Sequence, residues 1–292
     1  MPGEVMYSIS SGDWNCTPVP SADLLVKYPP ATGETASVDL IYQAAVDDAS
    51  VMGAAEAVNW LTVIDASNPA LTWEGVPGES RVLMVLFTDY HSAYEGHEGE
   101  DVLVGVELWL TASPDLKNSF AMTVTPEDEL SGRLDELLGL TPDSENDLIV
   151  ELWVDPDDLF RPSANPDITD PTGGSGPPST SYVLSTGQNY ADWYDGRLSW
   201  IYANSGGDSY PWTGLGYTYD WGNPLFDYGM SEFVLNKNST VGVKETYTVE
   251  EYLSAGYAPT QWSWFSVFAE ALPVVAPGVD ATGGASALLA AA

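Results

Sequence analysis

Residues 81–88, RVLMVLFT, hold six apolar side chains in succession with no polar residue among them. Strand side chains point alternately to two faces, so such a run makes a strand only where both faces are covered. This segment calls for a sheet buried on both sides and frames the reading of the rest. Residues 102–111 (VLVGVELWLT) alternate, with Glu107 and Trp109 on one face and Val106, Leu108 and Leu110 on the other. Residues 147–154 (DLIVELWV) return to strand, and shorter β signals lie at 37–45 (SVDLIYQAA) and 119–125 (SFAMTVT). Residues 232–235 and 240–246 read as partner strands joined by a turn through 236–239.

Helical periodicity is rarer. Thr125 is placed to cap a helix with Pro126 at its first position and Glu127, Asp128 and Glu129 in the anion-favouring first turn. Leu130, Leu134, Leu137 and Leu138 supply its apolar stripe, and Gly139 ends it. Residues 190–202 (YADWYDGRLSWIY) space Tyr190, Trp193, Tyr194, Leu198, Ile201 and Tyr202 for a second helix. Thr248-Val249-Glu250-Glu251 matches a capping box opening a short helix that stops at Gly256. Residues 49–60 tolerate a helix, which Gly53 weakens. The expected fold is α+β, mainly β: a mixed or antiparallel sheet, two or three helices, and a long aromatic loop over 210–235 folded on one end.

The expected organisation is a β-rich region with one helix (1–161), a Pro/Gly-rich linker or long loop (162–181), an α+β region (182–259) and an apolar low-complexity tail (260–292). Residues 106–110 (VELWL) and 150–154 (VELWV) repeat one another, either as traces of a duplicated unit or as ordinary strand vocabulary.

Charge decides which partners are excluded. The chain has 43 acidic residues against eight Lys and Arg, a net charge of −35. Self-repulsion on that scale opposes a compact state unless ions screen it, and at molar salt the screening length is about 3 Å. The balance points to a saline milieu, and it argues against nucleic acid and anionic membranes, which require clustered cations. Cys16 is the only cysteine, so no intrachain disulfide forms. Residues 1–14 lack the basic and apolar regions of a signal peptide, and the apolar run 262–277 is broken by Glu270 and Pro273. The expected setting is the cytoplasm, or a virion or other assembly, of a saline-adapted source, with no membrane span.

Three chemistries are conceivable. Asp220, Asp227 and Glu232 lie among Trp193, Trp212, Tyr217, Tyr219 and Trp221, the combination of carboxylates and aromatic faces that a glycan-active site uses. The alternative is that these aromatics are core and the carboxylates part of the acidic coat. Asp89, His91 and His97 could supply three ligands to Zn²⁺ or a similar cation in a metal-dependent hydrolase, although a separation of six matches no standard spacing; the alternative is a solvated acidic loop. Asp155, Asp157 and Asp158, and the stretch 167–170, are carboxylate-dense without matching a calcium loop, so weak cation binding is expected and no cofactor. Nucleophile-elbow, Walker and dinucleotide fingerprints are missing.

Glu151-Leu152-Trp153-Val154, Asp158-Leu159-Phe160-Arg161-Pro162, the PWTGLGYTYDWG stretch at 211–222 and Ser231-Glu232-Phe233-Val234 together resemble a family of uncharacterised bacterial proteins over 151–243. The resemblance implies an Arg in that family where this chain has Gly214, and it brings no function with it. The function expected from the residues is a non-enzymatic structural or binding protein adapted to high salt, with protein partners or self-association. A glycan-active or glycan-binding protein is the first alternative and the metal-dependent hydrolase the second.

Overall fold

The computed structural model describes residues 7–8, 17–18, 38–120, 129–203, 209–223 and 226–254. They belong to a unit spanning Met1–Tyr257; the expected tail, the helix stop at Gly256 and the caps at Thr125 and Pro126 lie outside the described residues. The fold is α+β, mainly β. Strands β1 (Tyr7–Ser8) and β2 (Thr17–Pro18) pair with each other. The main sheet is built from β3 (Val82–Thr88), β4 (Asp101–Val104), β5 (Leu108–Ala112), β6 (Leu148–Val154), β7 (Leu159–Phe160), β10 (Phe233–Leu235) and β11 (Ser239–Thr248). Its order is β4-β11-β6-β3-β5-β10-β7, antiparallel throughout. Strands from both sides of residues 162–181 therefore hydrogen-bond within one sheet. A ribbon of β8 (Tyr217–Tyr219) and β9 (Tyr228–Ser231) stands apart from it.

β3 lies at the centre, and its continuous apolar run is used on both faces. Val82, Met84 and Leu86 join a core with Leu152 of β6, Leu110 of β5 and Val241 of β11, closed by Ile64, Leu71 and Tyr94. Val85 faces the other way, with Ile149, towards helices α3 (Ser113–Phe120), α4 (Leu130–Leu138) and α6 (Val249–Ser254). On the same side, Phe160 and Val234 meet Tyr190 and Trp193 of helix α5 (Tyr190–Ala203).

Two connections show that the sheet curls. Val104 to Leu108, and Leu235 to Ser239, each link strands four places apart in the order. Four residues reach about 14 Å at most, whereas four strand spacings in a flat sheet come to about 19 Å. The sheet must bend round at that end, enclosing the first core.

Several expectations are corrected. Residues 102–111 are two strands, β4 and β5, because the chain leaves the sheet at 105–107 to make the first of these crossings. β10 and β11 do not pair: β10 lies between β5 and β7, and β11 between β4 and β6. Asn236 draws the chain aside, its backbone N and Nδ2 both donating to Asp158 O at 2.9 and 2.8 Å. Asn238, at φ 66°, then donates to Val104 O. Of the strand expected over 37–45, the described residues 38–45 instead lie in helix α1 (Val38–Ala49), because Ile41, Tyr42, Ala45 and Ala49 form a helical stripe against Tyr219 and Trp221. The helix stops there, and 50–60 are turns and loop. Residues 119–120 end α3, whose Pro114 and Asp115 suit a first turn.

Counting the four-residue α2 (His91–Tyr94), six α-helices occur among the described residues, more than periodicity marks out, since half of them run to eight residues or fewer. Other local expectations hold. Gly139 closes α4 in the left-handed region at φ 70°. The capping box forms as well, Thr248 N donating to Glu251 Oε2 and Glu251 N to Thr248 Oγ1.

Candidate functional site

The segment 209–223 turns sharply at Gly214 (φ 61°) and Gly216 (φ 88°). Thr213 Oγ1 receives Leu215 N and donates to Tyr217 O, fixing the turn. A Cβ at Gly214 would press on the Tyr194 hydroxyl, which donates to Gly214 O at 3.0 Å. Gly214→Ala is expected to lower stability by about 2–4 kcal/mol through left-handed strain and this overlap, read from denaturant unfolding in molar salt. The Arg implied by the family resemblance could stand here only if Tyr194 moved.

The turn sends its aromatics inward. Trp193, Trp212, Tyr217, Tyr219 and Trp221 are all buried, so the expected aromatic surface is core. Trp212 packs edge-on to Trp109 at 6.3 Å and against Tyr194 at 5.2 Å. Trp193 meets Phe160 at 4.6 Å, edge to face, and its Nε1 donates to Glu107 Oε1 at 2.9 Å. Arg197 sits among three indoles, those of Trp109, Trp193 and Trp200, and binds Glu107 Oε2 at 2.5 Å. The aromatics that do reach solvent include Trp60, Trp200, Phe226 and Tyr228.

The three candidate acid/base residues do not converge. Asp220 and Asp227 lie side by side at one end of the β8–β9 ribbon, where Asp220 N donates to Asp227 O. Both Asp220 oxygens are clamped by Arg133, at 2.8 and 2.6 Å. Burial raises the Asp220 carboxyl above its ordinary value, and the guanidinium opposes that shift. Glu232 lies at the ribbon's other end, its N donating to Gly216 O. Four residues of strand, about 13 Å, separate the two ends, more than the 5–10 Å or so over which paired carboxylates act on a glycosidic bond.

Glu232 is enclosed, and burial pushes its carboxyl up to about 8 against the pull of the Trp212 indole and Arg197. Trp212 Nε1 comes near without reaching hydrogen-bond geometry, leaving it and Glu232 Oε2 buried and unsatisfied. A buried carboxyl held neutral near pH 7 has the electrostatics of a general acid.

Asp89 is exposed, and its carbonyl receives His91 N. His91 lies between Glu95 (Nδ1, 3.0 Å) and Asp147 (Nε2, 2.7 Å), and these carboxylates, Glu95 foremost, raise its pKa. His97 pairs separately with Glu100 at 3.0 Å. Among the described residues no group of three His, Cys, Asp or Glu is placed to hold a metal ion. The carboxylate-dense stretches cap their own turns: Asp155 receives Asp157 N, Asp167 receives Thr169, and Asp170 receives Thr172. No helix among the described residues is long and apolar enough to cross a membrane.

The residues that sequence reasoning passed over are the arginines. Arg161 is fully buried, with Nη2 donating to Thr62 O at 2.8 Å and reaching Ile168 O and Asp170 O. Its guanidinium lies 4.9 Å from the Phe233 ring. Arg81 holds Glu74 and Asp101, both at 2.6 Å. The two VELW segments share one device. Glu107 pairs with Arg197, which lies over Trp109, and Glu151 pairs with Lys244, which lies over Trp153. Scarcity was the available signal: in a chain this poor in cations, all four arginines are placed where they have partners.

The arrangement defines an α+β protein whose four arginines are bound into its framework. The chain matches no family model, no curated protein and no solved structure. The comparisons supply no relative for the resemblance expected over 151–243, and no residue roles come from it.

Proposed function

We propose that this chain is a non-enzymatic structural or binding protein adapted to high salt, acting through contacts with other proteins or with further copies of itself. The supporting observation is the placement of the arginines. All four lie in fixed contacts within the fold, at Glu74 and Asp101, at Asp220, at three backbone carbonyls, and at Glu107. Eight cations in all cannot pair with 43 carboxylates, so most of the acidic coat goes unneutralised. Such a coat repels itself in dilute buffer and is screened in brine. Of the groups that could do chemistry, Asp220 is clamped and Glu232 stands alone.

Unfolding and light scattering across a KCl series test the reading. The expected result is a midpoint at least 15 °C higher in 3 M than in 0.1 M KCl, with a mass above the monomer at 3 M. Equal stability at both salts, or a monomer throughout, counts against it.

A glycan-active role is the second reading, supported by the neutral, aromatic-walled Glu232. It requires hydrolysis of an oligosaccharide that Glu232→Gln abolishes while the fold survives.

A further inference from the structure

Among the described residues, the stretch 51–60 presents no exposed charge. Every exposed residue within 51–60, namely Val51, Ala54, Ala55, Asn59 and Trp60, is uncharged. The stretch is organised on Tyr217, whose hydroxyl donates to Glu56 O at 2.9 Å and whose ring lies 6.3 Å from Trp60. Met52 and Val58 pack round the same cluster. Trp60 then meets Tyr228 edge-on at 5.9 Å, which brings in the start of β9 and Phe226. Val51 is 78% exposed, Phe226 58% and Trp60 41%. Three carboxylates belong to the neighbourhood, one of them the half-buried Asp48, whose Oδ2 accepts the Tyr219 hydroxyl at 2.7 Å. Glu56 Oε2 accepts Gly53 N at 2.9 Å, and Asp227 is half-buried.

We infer that this face, centred on Trp60 and Phe226, is where two copies of the chain meet about a two-fold axis. Charge singles out the occupant. Two molecules of net charge −35 repel wherever coat meets coat, and this face meets its own copy without opposing exposed carboxylates. A cationic partner would be drawn to the coat instead. Molar salt favours the contact twice over, by screening the rim and by strengthening apolar burial. Exposed aromatics are the side chains that anchor such interfaces. The inference rests on the association proposed above and names its surface.

Sedimentation velocity of the full chain at 0.2 and 3 M KCl tests it, using wild type, Val51→Glu/Phe226→Glu, Phe226→Ser, and Leu103→Glu on the edge strand β4. Wild type is expected to dimerise at 3 M and Leu103→Glu to do the same. The double Glu variant, with unchanged circular dichroism, is expected to be monomeric, its dissociation constant raised at least 100-fold. Phe226→Ser adds no charge and must weaken the dimer at least tenfold, which keeps the test decisive if the double variant misfolds.

A dimer that survives both Phe226 variants, or one dissolved only by Leu103→Glu, overturns the assignment of this face and leaves association standing. A wild-type monomer at 3 M overturns both. Binding of a soluble oligosaccharide that shifts Trp fluorescence in a monomer, and is lost in Phe226→Ser, reassigns the face to a glycan.

Discussion

Replacing Arg161 with Ala is expected to lower stability by about 3–5 kcal/mol, a third or more of what a domain usually has. The side chain has no solvent exposure and ties two separate backbone stretches, at Thr62 O and at Ile168 O and Asp170 O. Removing the donor takes the side-chain partner from Thr62 O and Asp170 O, at about 1–3 kcal/mol for a buried group left unsatisfied, while Ile168 O keeps Ile64 N. It also opens a hole against Phe233 and under Gly216, where the Arg161 stem leaves no room for a Cβ. Opposing this, the cation is itself expensive to bury: desolvation lowers its pKa to about 10, and Nε and Nη1 have no partner. Arg161→Met keeps the stem, fills the hole and sheds the buried charge, so it should lose only about half as much. Denaturant midpoints in molar salt read both variants. A change under 1 kcal/mol in Arg161→Ala would remove Arg161 from the framework.

Acidification from pH 9 to pH 5 is expected to stabilise the protein, the reverse of ordinary acid denaturation. Five carboxyls are raised by burial: Asp115 to about 6, Asp135 to about 7 and Glu232 to about 8, with Glu136 and Asp220 shifted in the same direction. In the unfolded chain each ionises in the ordinary carboxylate range, so between that range and the raised values the folded state holds the extra proton. Stability is therefore greatest at the acid end of the window, falls as pH rises through about 6, 7 and 8, and levels off above. His91, also raised, acts in the same direction, and loss of net negative charge adds to it. Asp65, Glu74, Glu98 and Asp170 are lowered and work the other way, but only at more acid pH, as protonation reaches their lowered values.

Glu232 alone is worth on the order of 3–5 kcal/mol, or roughly 10 °C in midpoint for a chain of this size. Glu232→Gln keeps the shape and cannot ionise, so it should flatten the profile between pH 7 and 9. A flat wild-type profile, or a Glu232→Gln profile that still falls over that interval, counts against a neutral Glu232.

How much of this was legible beforehand depends on whether the cause is local. The covered central strand followed from six consecutive apolar residues, and β3 is buried on both faces. The capping box at 248–251 and the Gly139 stop involve partners three or four residues away, and both form as read. Misreadings came where two periods compete. Residues 38–45 alternate over a few positions, yet a helix places Ile41, Tyr42, Ala45 and Ala49 against Tyr219 and Trp221, and that packing prevails. The partner of β10 was misjudged for a related reason. A four-residue link suggests a hairpin, but Asn236 bonds to Asp158, and the curl of the sheet lets so short a link cross between distant strands.

The residues by themselves determined the periodic and additive properties: an α+β chain with a doubly covered strand, its caps and helix stops, and a surplus of acid that any fold must carry on its surface. Only the tertiary structure decided which carboxylates differ from the rest. Asp220 meets Arg133 across 87 residues of sequence and Glu107 meets Arg197 across 90, while Glu232 is buried where the pull of Arg197 does not offset its desolvation. Carboxylates are chemically alike along a chain. What separates one from another is desolvation and the nearest charge, and both arise from segments brought together only by folding.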